Sequence, residues 1–564
     1  MATIMLNKAI LKNMERTASG NDPYLSDCID VLKNSYSNKP RIANELDFFV
    51  YIRSVIYDVL RYHQAQYELQ PKKQGKQPTF EKPRVDEFAL IFLYFVPAYN
   101  IEISSSSKTL CIYHYFGSRE GTYDMDSELL GEYIYNIWTN MTVSDYHTYV
   151  NAIKYYASTI SETNNKNIIV VNNGLYDKTT KLLSPFSPKY VSLTKIATDY
   201  NPNATLPIIH NDSDDTDWDV DSWIKDLAGA NVNNYDFKTE LLLWQIIAAT
   251  INPSQANNKA IFFYSEEGNN GKGTFGLLLK NLVGRQNYSS LPIPAFKHEF
   301  MKELLIGKAL NIADENPVGM YIDDVQDFKA YITGDDILIN RKNKKPIYMN
   351  LKAVNIQMLN ELPKTRDKSN SFYRRIILVP FLTSFTNNGE RAYIKSDYVH
   401  RQDVLEYVLK KALEMDTFVE FVEPERSKLA MDDYKEENNS VVEFWNEFES
   451  DFKWDFLTTK FLYSLYRSWF DANYPKGVCF AKKQFSKQLK SYLTNDPNWE
   501  YRGDKQSSPS SIRINGRMDA DEPLITEYHL IDFMNTTASG SANEKTKRDF
   551  VRPDRGRGVI RKPN

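Results

Sequence analysis

Cysteine is scarce in this chain: three in 564 residues, Cys28, Cys111 and Cys479, all far apart. That spacing excludes a paired-cysteine zinc site and a disulfide framework, and it predicts a reducing, cytoplasmic setting. Long apolar runs are also missing, and residues 1–20 mix Lys, Glu, Arg and Asn with apolar residues. No membrane partner and no signal peptide are therefore expected. A basic excess is absent too, since 69 Lys and Arg face 73 Asp and Glu, for a net charge of -4. A uniformly basic nucleic-acid coat is excluded, so contact with DNA must come from local patches. What the chain does have is 42% hydrophobic residues, with 37 Tyr and 30 Phe, enough for sizeable cores in two to four domains.

Glycine is sparse overall but concentrates at one place. Residues 265–275 read Ser-Glu-Glu-Gly-Asn-Asn-Gly-Lys-Gly-Thr-Phe, between the apolar run Ala260–Tyr264 and a helix-like Gly276-Leu277-Leu278-Leu279. Strand, Gly-rich loop with one Lys, then helix is the layout of a nucleotide-phosphate cradle, in which loop amides and a helix N-terminus face the phosphates. Gly268, Asn269, Asn270, Gly271, Lys272, Gly273 and Thr274 are the candidate ATP-binding residues, with Lys272 supplying the cation. The loop departs from G-x-x-x-x-G-K-[ST] at two positions: Glu266 replaces the first Gly, and Gly273 replaces the Mg²⁺-binding hydroxyl. Thr274 must then hold the ion, or water must. The plain alternative is a Gly/Asn turn between a strand and a helix.

Downstream segments favour the cradle. Forty-two residues past Lys272, the apolar strand Ala309–Ala313 ends in Asp314-Glu315. An oxygen ligand at a strand end suits Mg²⁺, so Asp314 is assigned to the metal, and Glu315 to polarising the attacking water. The strand Val354–Leu359 ends in Asn360, an amide able to hold that water or sense the γ-phosphate. Arg374 and Arg375 precede the apolar strand Ile376–Phe381; in a ring, an arginine from one subunit can reach the phosphate site of the next. Between these segments, residues 341–352 hold five basic residues and no acid, a pattern that predicts a β-hairpin gripping a phosphate backbone through Lys342, Lys344 and Lys345. A solvated basic turn is the alternative.

The flanks predict further domains. Residues 1–205 read as an α+β region, helical over 1–67, with a Pro/Lys linker at 68–84; Asp124-Met125-Asp126 reads as a helix N-cap rather than a polymerase metal pair. Residues 206–236 carry seven Asp between 211 and 226 and predict a hydrated acidic linker. Residues 237–251 form an amphipathic helix stopped by Asn252-Pro253, expected to pack in a collar. Residues 237–430 alternate strands and helices. Over 440–535, Lys482, Lys483, Lys487 and Lys490 oppose an apolar face, and Arg502 and Arg513 flank a Ser/Gly turn; this pattern resembles a winged helix, its recognition helix set for a major groove. Residues 536–564 read as a basic disordered tail.

The order of phosphate loop, Asp-Glu strand, basic hairpin, Asn strand and Arg-Arg-led strand resembles the superfamily-3 helicases, ring-forming AAA+ ATPases, and in particular the phage and plasmid primase-helicase type. Asn172-Asn173-Gly174-Leu175-Tyr176-Asp177 and Tyr200-Asn201-Pro202-Asn203-Ala204 are similar to a stretch before that family's helicase core. Replication initiator helicases of staphylococcal pathogenicity islands and cassette elements resemble the chain further. The resemblance implies an α/β multidomain fold: an α+β N-terminal region, a central AAA+ P-loop ATPase core and a C-terminal winged-helix domain. It also implies ATP and Mg²⁺ as cofactors, and single- and double-stranded DNA as partners. A homo-oligomer, a hexamer, follows, as do contacts with host or element-encoded replication proteins in a bacterial cytoplasm. By the same resemblance Lys272 is the phosphate-loop Lys, Asp314 and Glu315 the Walker B pair, and Asn360 the sensor. Arg374, with Arg375 second, is the trans-acting finger, and Lys342, Lys344 and Lys345 lie on the central-channel hairpin. The first 205 residues lack a primase's acidic and His motifs, so no primase activity is expected. A DNA-packaging or remodelling ATPase, and an initiator using ATP only as a switch, stay open as alternatives.

Overall fold

The computed structural model describes residues 7, 10–12, 22–35, 42–69, 80–104, 107–230, 234–253, 258–314, 316–317, 319–322, 326–365, 370–385, 391–474, 479–503, 511–534 and 554–563. They form two compact units: Met1–Asn316, Gln326–Asn360 and Arg375–Pro424 make the first, and Pro317–Val325, Glu361–Arg374 and Glu425–Asn564 the second. Among the described residues no helix is long and apolar enough to cross a membrane.

At the start of the first unit, α1 (Glu45–Glu68) is capped by Asn44, whose side chain accepts from the Asp47 amide at 2.9 Å. Its residues Phe48, Phe49, Ile52, Val55, Ile56, Val59 and Leu60 are buried, the i, i+3, i+4 stripe of a helix lying on a core. The next helix, α2 (Val85–Phe95), is buried continuously from Glu87 to Phe95, as a helix apolar all round must be. Strands β1 (Ala98–Ser104) and β2 (Ser107–Tyr113) pair antiparallel, flanked by Thr159–Ser161 and Tyr123–Asp124. Asp126 caps the following helix by accepting from the Glu128 amide at 2.9 Å.

Side-chain packing divides the span 1–205 in two. Residues up to Ala157, together with Val191, pack with α1 and α2, whereas Ile169, Val171, Tyr176, Ile196 and Tyr200 join the larger core downstream. That larger core also corrects two expectations. The acidic segment is folded, not a hydrated linker: Ile209–Asn211 and Thr216–Trp218 form a hairpin, and α3 (Val220–Leu227) buries Val220, Trp223, Ile224 and Leu227. Its aspartates do local work, with Asp219 capping α3 through the Ser222 amide at 2.8 Å. The apolar residues between them, not the charge count, decide its state. Likewise α4 (Phe237–Ile251) packs into this core rather than a collar, buried continuously from Leu242 to Ile251.

A five-stranded parallel sheet sits at the centre of this core. Its strands are β3 (Ala260–Tyr264), β4 (Tyr288–Ser289), β5 (Leu310–Ala313), β8 (Val354–Leu359) and β9 (Ile376–Pro380), in the order β4-β5-β8-β3-β9. Between β5 and β8 in sequence, β6 (Ile337–Arg341) and β7 (Lys344–Met349) form a separate antiparallel hairpin. The helices α5 (Lys272–Val283), α6 (Ala392–Ser396) and α7 (Gln402–Glu414) complete the layer. Strands β3, β8 and β9 are buried along nearly their whole length, as β-rich runs covered on both faces are. Truncating a core ring such as Phe263, fully buried, to Ala costs about 3–5 kcal/mol. The sheet is of the kind found in P-loop ATPase cores, and the chain is α/β and multidomain.

The second unit contains α8 (Ser440–Phe448), β10 (Phe456–Thr458), α9 (Thr459–Asn473), α10 (Lys482–Tyr492), β11 (Trp499–Arg502) and β12 (Gly558–Arg561). Its three strands are antiparallel in the order β10-β12-β11, and Trp445, Trp454, Phe461, Trp469, Phe485 and Trp499 fill its core. Here the tail expectation is corrected, because β12 is the middle strand of this sheet. Val559 is fully buried, and a Cβ on Gly558 would stand 1.9 Å from the Leu457 carbonyl oxygen, a backbone approach only glycine permits. Two apolar residues amid Arg, Gly and Lys left too short a pattern to read. Residues 536–553 and 564 of the expected tail lie outside the described residues.

Candidate functional site

Parallel sheets present ligand sites at the carboxyl ends of their strands, where the order of connections reverses. Strand β3 leads to α5 beside β8, while β9 lies on its other side, so the loop 265–271 opens at such a point. Asn269 (φ 54°) and Gly271 (φ 80°) bend it through left-handed conformations. A Cβ on Gly271 would stand 2.4 Å from Leu227 Cδ2 and 3.3 Å from Phe385 Cε2, which accounts for the glycine twice over. Asn270 braces the turn from inside: its Nδ2 donates to Ser265 Oγ and to the Glu267 carbonyl, both at 2.5 Å, and its Oδ1 accepts from the Lys272 amide at 3.1 Å.

Lys272 opens α5 and is 9% exposed. Its ammonium donates to the Leu359 carbonyl at 2.8 Å and to Asn360 Oδ1 at 2.7 Å, with the Ser265 carbonyl at 3.5 Å. Among the described residues no carboxylate offsets the lost hydration, and burial pushes the group down to about 8. Asn360, at the end of β8, thus meets Lys272 directly. Asp314 ends β5, on the far side of β8, half-exposed and paired with Lys280 of α5. Its carboxylate and the hydroxyl of Thr274, in the first turn of α5, are oxygen donors of the kind Mg²⁺ takes, so the residues fit that ion. Glu315 lies outside the described residues.

The two arginines separate. Arg375 belongs to the first unit, where its carbonyl accepts from the Ala260 amide at 2.7 Å, and Arg374 is exposed in the second. The basic hairpin has the expected form. Asn343 (φ 58°) makes its turn, and Ile337, Ile339, Ile347 and Met349 anchor one face. Lys342, Lys344 and Lys345 are exposed at the tip, where the Arg341 guanidinium donates to the Lys345 carbonyl at 3.2 Å. In the second unit α10 buries Phe485 and Leu489; Lys482, Lys483 and Lys487 are exposed and Lys490 half-buried. Arg502 pairs with Glu500 at 2.9 Å, and Arg513 is exposed on a short strand paired with Arg555–Gly556.

A buried line of carboxamides was missed in the sequence. Asn316 Nδ2 donates to Gln357 Oε1 at 3.1 Å, Gln357 Nε2 to Asn355 Oδ1 at 2.9 Å, and Asn311 Nδ2 to the same oxygen at 2.8 Å. It runs along β5 and β8 up to the residue two beyond Asp314. Its signal was present, in the alternation of Asn355 and Gln357 within an otherwise apolar strand.

Two family models match the chain: a family of unknown function (DUF5906) over residues 263–375, and Poxvirus D5 protein-like over residues 436–517. No curated protein matches it. Among solved structures, one of the NrS-1 C-terminal region is 13% identical, with TM-score 0.39, covering 77% of this chain and 87% of that one. A second, of NrS-1 residues 305–718, is 14% identical with TM-score 0.40, covering 83% and 96%. A JCV helicase is 10% identical with TM-score 0.22, covering 41% and 74%. Each model spans less than half of the chain, and on these matches the chain is similar to superfamily-3 helicase-like proteins.

Proposed function

We propose that this protein is an ATP-dependent, ring-forming DNA helicase that initiates replication of a phage-like mobile element, of the kind carried by staphylococcal pathogenicity islands. One observation carries the reading: the Lys272 ammonium and Asn360 meet at 2.7 Å where the ends of β3 and β8 adjoin. A cation on the phosphate loop and an amide on the neighbouring strand end are the pair needed to hold a γ-phosphate and orient a water toward it. Asp314 and Thr274 would hold Mg²⁺, which when bound neutralises charge on the phosphates. Glu315 is the base for that water, and Arg374 of a neighbouring copy, with Arg375 second, is the finger that stabilises transition-state charge.

The exposed Lys342, Lys344 and Lys345 grip one strand of DNA through its phosphates, without regard to sequence. In the second unit, the order α8, β10, α9, α10, β11, β12, with β12 between the other strands, supports the winged-helix reading. On that reading Lys482, Lys483, Lys487 and Lys490 face origin DNA, with Arg502 and Arg513 beside its backbone. A forked-DNA unwinding assay with ATP, beside a light-scattering mass for the assembly, tests the proposal. Strand separation by a hexamer is expected. Hydrolysis without separation would leave a DNA-remodelling or packaging ATPase.

A further inference from the structure

One cation beside the phosphate loop has no part in the site as described so far. Lys395 lies on the short helix α6, and described residues ahead of it in the chain are tied down. The Phe385 amide donates to the Asn269 carbonyl of the loop at 2.8 Å. Tyr393 Oη donates to Asp214 Oδ2 at 2.5 Å, and the Arg391 guanidinium stands 3.8 Å from the same carboxylate. These ties occupy Arg391 and Tyr393 but not Lys395, which is exposed and has no acid partner among the described residues. Its Nζ would stand 3.9 Å from a Cβ placed on Gly273, and among the described residues no other atom from outside the adjoining residues and helix backbone comes within 4 Å of that point.

Gly273 is the position at which phosphate loops ordinarily carry a hydroxyl for the metal. Here the hydroxyl is missing, and an ammonium stands over the space it would fill. A lysine on a four-carbon stem is a mobile point charge suited to phosphate oxygens. We propose that Lys395 is a second phosphate-binding cation of the nucleotide site, serving the face of the phosphate chain that Gly273 leaves without a hydroxyl. The inference rests on the nucleotide reading of the loop. It makes this site less dependent on Mg²⁺ for holding a nucleoside triphosphate than a loop with a hydroxyl at that position.

The test is titration of the full-length protein with a fluorescent ATP analogue, in Mg²⁺ and in EDTA. The unaltered chain should keep most of its affinity in EDTA. Lys395→Ala and Lys395→Gln should each lose about tenfold there, the size of one hydrogen bond to a charged group, and less in Mg²⁺. Lys395→Arg should retain affinity in both. Adding Gly273→Ser to Lys395→Ala should restore binding in Mg²⁺ only, because a hydroxyl acts through the ion and an ammonium does not. Equal affinities of Lys395→Ala and the unaltered chain in EDTA would overturn the inference and leave the phosphate-loop reading standing. No binding by the unaltered chain under either condition would overturn both.

Discussion

Lys272 and the hairpin lysines carry the same charge in opposite surroundings. Lys272 is 9% exposed, donates to fixed oxygens, and is pushed down to about 8 by burial. Lys342, Lys344 and Lys345 are solvated at the end of a two-stranded hairpin anchored by its apolar face. A buried ammonium has already lost its water, so it is committed to whatever fixed ligand completes its shell. Solvated ammoniums give up little on meeting a phosphate backbone and gain chiefly by releasing its counterions, which suits a ligand that must slide. On the proposed function, one kind of site would recognise a small molecule, and the other would hold a polymer without fixing its register.

The sharpest way to break this comparison is Lys272→Ala. Hydrolysis, followed by phosphate release, should fall by at least about 100-fold, as when one preorganised donor to a developing charge is removed. Unaltered turnover would mean that the buried cation serves the fold alone. Next in size is the pair Lys344→Ala with Lys345→Ala. Single-strand affinity at moderate salt should fall about tenfold, and the slope of log affinity against log salt should shrink by about 1.4, at ~0.7 per phosphate contact. An unchanged slope would show that these lysines touch no phosphate, and the contrast with Lys272 would then be one of burial only.

The two regions also differed in how well they could be read. The hairpin was legible because its evidence is local: alternating apolar residues about a polar turn, with five basic residues and no acid over 341–352. The loop around Lys272 was legible through order, from Asp314 and Asn360 following at strand ends. What stayed hidden depends on partners distant in sequence. Lys280 gives no sign of meeting Asp314, nor Lys395 of standing over Gly273 from more than a hundred residues away. The acidic run at 211–226 misled because charge was counted, while Trp218, Val220, Trp223 and Ile224 decided its packing. At 558–561 the strand is fixed by a sheet partner near Phe456, about a hundred residues earlier, which no local pattern reports.

Lys280 lies between the two extremes, 13% exposed on its side chain and paired with a half-exposed Asp314. While that pair holds, the carboxylate proposed for Mg²⁺ is shared with a cation. Lys280→Ala should free it and lower the Mg²⁺ concentration for half-maximal hydrolysis by up to about fivefold, the range of a partly solvated ion pair. A higher Mg²⁺ requirement would make Lys280 a support for Asp314 instead of a competitor.

The smallest expected effect is one of pH, and it separates the two kinds of lysine without a substitution. Unfolded, Lys272 titrates near its ordinary 10.5; folded, burial brings it to about 8. Between these values the unfolded chain holds the proton and the folded chain has released it, so this group's contribution to stability rises as pH climbs through the window. A bound triphosphate reverses the balance, because its negative charge favours the ammonium. Nucleotide binding should therefore take up a proton above pH 8, and affinity should fall by about threefold between pH 7.5 and 8.5. Calorimetry in two buffers of different ionisation enthalpy reads that uptake directly. In Lys272→Arg, whose guanidinium keeps its proton throughout, the uptake should vanish if the variant still binds. Proton uptake that persists in that variant would place the titrating group elsewhere and remove the distinction between the buried cation and the solvated ones.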